Sequence, residues 1–173
     1  MKKILIFFLL AAMVVSFVAC KDSNDKSDDE EKTYTFTSGT IKIAIHDDAM
    51  PVLAALGEWR DYAPSNSCLF VGTDKLYTYA GFLLQTYPNE GKDFVFMISF
   101  YDDTVATEEG IRIGNTQEDV IKAYGTPDEQ DATCMRYKTD VMYLEFLLTD
   151  EGTVRGIKYC HPKALENESG NES

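Results

Sequence analysis

The sequence predicts an α+β domain built from two tandem repeats. Each repeat is a short helix followed by an antiparallel β-meander, with the helices packed on one face of the sheet. Two observations carry this expectation. A helix stop occurs twice, at Gly57 and Gly125, and reading back from each at an offset of 68 pairs Leu53 with Ile121, Val52 with Val120, Ile45 with Ile113 and Ile43 with Ile111. Three strand-like runs then follow each stop: 67–72, 75–87 and 93–101 after the first, and 133–138, 141–149 and 153–160 after the second. Similarity at a fixed offset reads as a duplicated structural unit, and a sheet with one apolar face must bury it against another layer.

The elements follow in chain order. Residues 1–19 have the three-part grammar of a signal peptide: Lys2 and Lys3, an apolar run from Ile4, and the small residue Ala19 before Cys20. The apolar run is short for a spanning helix, which needs about 20 residues. Residues 21–32, KDSNDKSDDEEK, hold no apolar side chain and cannot bury enough surface to order themselves, so 20–32 is expected to be an acidic tether. A single domain is predicted over 33–165, with repeats at about 39–103 and 108–161, and the polar stretch 166–173 is expected to be a disordered tail. Each repeat opens on an extended stretch, Ile41–Ile45 or Ile111–Ile113.

The first helix takes Asp48 as its cap, with Pro51 in its first turn. The second takes Thr116, with Asp119 three residues on, close to a capping box. Val120, Ile121 and Tyr124 share one helix face, and Gly125 followed by Pro127 ends it. Turns are predicted at Thr73–Asp74 and Thr139–Asp140, and then at Asn89–Asp93 and Asp150–Gly152.

Loss of residues 1–19 removes Lys2 and Lys3, so 16 basic residues become 14 against 29 acidic ones, a net charge of −15. Such a surface argues against nucleic acid, which needs basic patches, and against lying flat on anionic lipid. With Cys20 set aside, Cys68, Cys134 and Cys160 remain, an odd number with no CxxC spacing. A Cys134–Cys160 bridge is not expected. In a three-strand meander these residues fall at opposite ends of strands about 10 Å apart, beyond the reach of a disulfide. Buried reduced thiols are the expectation.

No nucleophile elbow, zinc-helix, phosphate-loop or dinucleotide motif is present. The cluster His46, Asp47 and Asp48 suits helix capping better than metal ligation. His161 lies beside Cys160, but neighbours on a strand point to opposite faces. No catalytic residue, metal site or cofactor is predicted. The remaining signal is aromatic. If Tyr77, Tyr79, Val95, Met97 and Tyr143 line the helix-free face, they form an apolar-aromatic contact surface. The competing expectation places them in the core.

Two resemblances add to this reading. Phe17 to Cys20, FVAC, resembles a bacterial lipobox. That implies lipidation of Cys20 by a diacylglycerol with palmitate-class chains and cleavage just before it. GIRIGNTQEDVIKAYGTPDE, Gly110 to Glu129, resembles the repeat unit of β-lactamase-inhibitor-type proteins and of the small lipoprotein subunit of the outer-membrane barrel-assembly machine. SCLFVGTDKLYTYAGFLLQTYP, Ser67 to Pro88, resembles cell-envelope lipoproteins of gut bacteria. The inhibitor family places a disulfide inside each repeat. This chain departs from it, with a single cysteine at that place in each copy, Cys68 or Cys134.

Together these imply a lipid-anchored, extracytoplasmic protein of the cell membrane or outer membrane. Its domain is expected to be a non-enzymatic binding or scaffold module with an envelope or secreted protein as partner. The alternative is an inhibitor of a secreted hydrolase that uses the open sheet face or a loop.

Overall fold

The computed structural model describes residues 33–165. The predicted signal peptide, Cys20, the tether and the tail lie outside the described residues. The chain forms β1 (Phe36–Ser38), β2 (Ile41–Ile43), α1 (Ala49–Leu56), β3 (Asp61–Asn66), β4 (Thr73–Thr78), β5 (Phe82–Asn89), β6 (Lys92–Phe100), α2 (Gln117–Tyr124), β7 (Glu129–Gln130), β8 (Cys134–Lys138), β9 (Tyr143–Leu148) and β10 (Val154–Cys160). Strands β3 to β10 make one eight-stranded antiparallel sheet in the order β3-β4-β5-β6-β10-β9-β8-β7, and β1 and β2 pair separately.

This corrects the predicted fold class. The protein is mostly antiparallel sheet and not a balanced α+β repeat with a helical layer. Each helix has eight residues, about two turns, and they bury only Ala49 and Val52 from α1 and Val120 from α2. So few side chains cannot cover an eight-stranded sheet. The β1–β2 ladder does much of that work through Phe36 and Ile43, which join Val52 and Val120 in the cluster over Leu84, Ile98, Leu144, Phe146 and Ile157. Phe36 packs edge-on against Phe82 and Phe100, with ring centroids 4.9 and 4.8 Å away.

The helix ends follow from their sequence. Asp48 accepts a bond from the Met50 backbone N–H, and Thr116 and Asp119 form a reciprocal capping box. The N–H groups of Gly57 and Gly125 bond back to the carbonyls of Leu53 and Ile121 at positive φ, where a side chain would be strained. The hairpin between β5 and β6 turns on Glu90 and Gly91, both at positive φ, as a two-residue turn between twisted strands requires.

Strand assignment differs from the sequence reading in the first half. The apolar run 67–72 is not a strand. The Ser67 hydroxyl accepts from the Leu69 and Phe70 N–H groups and folds it into a loop. The polar segment before it, Asp61–Asn66, is the strand instead. The single run expected over 75–87 is two strands, divided at Gly81. A Cβ there would lie 2.5 Å from Thr104 Oγ1, and the Tyr101 hydroxyl pins the turn by accepting from the Gly81 N–H and donating to the Tyr79 carbonyl. Both outer edges are blunted. β7 has only two residues, and β3 carries Pro64, which removes a donor from the free edge.

One buried group gives a direct stability prediction. Thr86 is fully buried, and its hydroxyl has no hydrogen-bond partner among the described residues. Thr86→Val keeps the shape and removes an unsatisfied polar atom, so it is expected to stabilise by about 1 kcal/mol, a rise in Tm of about 3 °C. A lower Tm in a thermal melt would show that the hydroxyl is bonded.

Candidate functional site

The predicted contact surface of Tyr77, Tyr79, Val95, Met97 and Tyr143 does not form. Tyr77, Tyr79 and Val95 belong to the core cluster under β1, β2 and the helices. Tyr77 pairs with the core residue Leu84 and so faces the core, and register in β6 divides Val95 from Met97. Gln85 pairs with Met97 but Thr86 pairs with Val95, so Phe96 is an extra residue in β6. Cross-strand partners share a face, and Gln85 and Thr86 point opposite ways. Val95 and Met97 therefore lie on opposite faces although they are two apart. Met97 is half-buried, in one row with Cys160 and Tyr143, and Tyr143 is itself buried.

The second face of the sheet is not an open apolar wall. At its β8 end, Glu145 is buried at 1% exposure and accepts from Arg136 Nε at 2.5 Å, with Lys158 Nζ at 3.5 Å and Cys134 Sγ at 3.4 Å. Burial, reinforced by the Glu145 charge, pushes the Cys134 thiol up to about 12, so it stays protonated and unreactive. Cys160 is also buried and not in a disulfide, two strands from Cys134 with β9 between them, whereas Cys68 is exposed and departs from the expected burial.

The other end of this face collects both histidines of the chain. The rings of His46 and His161 meet edge to face with centroids 4.5 Å apart, and Phe96 stacks on His161 at 5.3 Å. The ring of His46 bonds to two neighbours. Nε2–H donates to the Val141 carbonyl, and Nδ1 is hydrogen-bonded to the Tyr87 hydroxyl, each at 3.1 Å. His161 Nδ1 accepts from the Lys163 backbone N–H at 3.0 Å. Burial, with smaller contributions from His46 and Lys163, lowers the His161 pKa to about 4. Asp47 and Asp48 are otherwise engaged, with the Ala44 N–H and with Met50 and Lys92. Among the described residues no group of three or more His, Cys, Asp or Glu side chains could hold a metal. The pair is a latch of packed rings joining the loop before α1, the β8–β9 turn and the end of β10.

The feature that remains unpartnered lies at the β3 edge. Gly57 stops α1 and releases the segment Glu58–Tyr62, and the Arg60 N–H bonds to the Thr78 carbonyl at 2.7 Å, fixing its path into β3. Trp59 and Tyr62 are 45% and 42% exposed. Their rings are held by contact with Tyr77, at 5.1 and 5.2 Å, and lie 6.2 Å from each other. Beside them Leu53, Ala54, Gly57, Glu58 and Trp59 line a shallow depression of about 550 Å³. The strip continues along α1, which carries no charge and exposes Pro51, Ala54 and, at 75%, Met50. A helix apolar on its outer face is unusual in a soluble domain. Sequence reasoning missed this edge, although the only tryptophan of the chain stands between charges in GEWRDY, directly after a helix stop.

No known family profile and no curated protein matches the chain. Among solved structures it is similar to an extracellular protein containing an SCP domain from Bacillus anthracis strain Ames. The two are 14% identical with a TM-score of 0.53, over 72% of this chain and 46% of that one, so the chain matches less than half of that protein. At this identity the likeness concerns the fold alone. No described helix is long and apolar enough to cross a membrane.

Proposed function

We propose that the protein is a lipid-anchored extracytoplasmic binding module that meets its ligand through the Trp59–Tyr62 edge and the adjoining strip of α1. The observation that carries the binding surface is the pair of half-exposed rings, already fixed against Tyr77 beside a depression of ligand size. Rigid aromatic side chains supply large contact area at low entropic cost. The anchor rests on FVAC at Phe17–Cys20 and on the twelve polar residues that follow. Extended, they reach at most about 40 Å, which would keep the domain close to the bilayer. The blunted sheet edges support binding through this surface rather than by strand addition.

The anchor is tested by Cys20→Ser. The wild-type protein is expected to partition into detergent and to carry acyl mass on a mature chain that starts at Cys20. The variant is expected to stay unprocessed or become soluble. A wild-type chain that starts elsewhere without added acyl mass refutes the lipid anchor and leaves the edge to be tested separately.

A further inference from the structure

We propose that Trp59 and Tyr62 are a stacking platform for a neutral glycan chain, and that Glu58 and Arg60 bind its hydroxyl groups; this deepens the binding reading above and rests on it. A sugar ring offers a flat C–H face and a rim of hydroxyls. It therefore needs an exposed aromatic face with charged or amide groups interleaved beside it. The segment Glu58–Tyr62 supplies both in five consecutive residues, all of them exposed. The rings lean on each other and on Tyr77 at centroid distances of 5.1 to 6.2 Å, too close for a cation to sit between them, so the outer faces are what the site offers. The depression of about 550 Å³ next to Trp59 is walled by Leu53 and Ala54 and has room for a ligand of a few rings.

The same residues argue against the other occupants. A bilayer would have to strip water from Glu58 and Arg60, which flank Trp59 in sequence, and burying such charges is costly. The core of a protein interface is depleted of charge, whereas here the charges alternate with the rings. A net charge of −13 over the whole chain opposes an anionic polysaccharide, which leaves a neutral one.

Trp59 is the only tryptophan, so emission under tryptophan-selective excitation, which leaves the ten tyrosines dark, reports on this site alone. The purified domain is titrated with dextran, laminarin and a neutral mannan, and in parallel with phosphatidylcholine vesicles and over a range of its own concentration. A shift or quench of emission with at least one polysaccharide is expected. In affinity electrophoresis with that polysaccharide, Trp59→Ala should weaken retardation at least tenfold and Tyr62→Ala several-fold, with thermal melts confirming that both variants are folded. No response to any of the polysaccharides overturns the glycan assignment. If emission then responds to vesicles or to protein concentration, the edge still binds and the binding reading survives without the glycan. If it responds to nothing, both fall.

Discussion

Val120→Asp is expected to cost the fold about 4 kcal/mol or more and to leave little native protein at 37 °C. Val120 is 0% exposed on α2, in the cluster with Leu144, Phe146 and Ile157. A carboxylate placed there must either ionise without a partner or take up a proton at neutral pH, and both are unfavourable. Val120→Ala separates the charge from the lost volume. It removes two methyl groups and should cost about 2 kcal/mol. Urea unfolding followed by circular dichroism gives both values. Similar losses for the two variants would mean that the aspartate reaches solvent and that α2 is held more loosely than its burial indicates.

Local features were legible because their causes are local. The caps at Asp48 and Thr116, the stops at Gly57 and Gly125 and the turn at Glu90–Gly91 each depend on a few neighbouring residues. The later strands were legible because apolar runs bounded by turn residues coincide with β8, β9 and β10. Strand β3 was not. Its residues, DYAPSN, are exposed throughout, so no alternation marks them, and Pro64 argues against a strand in any position but an edge. The loop 67–72 misled in the opposite way. Its apolar residues include Phe70, which packs on Tyr87 at 4.4 Å from a loop and not from a strand.

The predicted site failed because Tyr77, paired with the core residue Leu84, faces the core, and one inserted residue in β6 divides the rest. A strict period of two carries Val95 and Met97 to the same face, and the bulge at Phe96 separates them. The helical layer failed on length, since two-turn helices bury too little to form one. Nothing in the sequence brings His46 and His161 together. Their meeting depends on β6 lying beside β10, a pairing set by the whole sheet.

That meeting predicts a loss of stability in mild acid. The folded-state pKa of His161 is lowered to about 4 from an ordinary value of 6.5. Between these values the unfolded chain binds a proton that the native state does not, so stability falls as the pH falls. The contribution is fully present above pH 6.5 and is lost progressively down to about pH 4. At about 1.4 kcal/mol per unit this amounts to about 3 kcal/mol. The groups around the ring sharpen the effect. His46 and the Lys163 ammonium add repulsion to any charge on His161, while Phe96, Phe70 and Tyr87 offer no counter-charge. Carboxylates held low by their partners, such as Asp48 and Asp119, lose their contribution mainly below this window, so the two effects separate along the pH axis. Urea midpoints measured at pH 7.5 and 4.5 should fall steeply for the wild type. They should fall much less for His161→Phe, which keeps an aromatic ring against Phe96 but cannot take up a proton. Parallel pH profiles for the two proteins would show that His161 charges without cost and that the histidine latch opens to solvent in the native state.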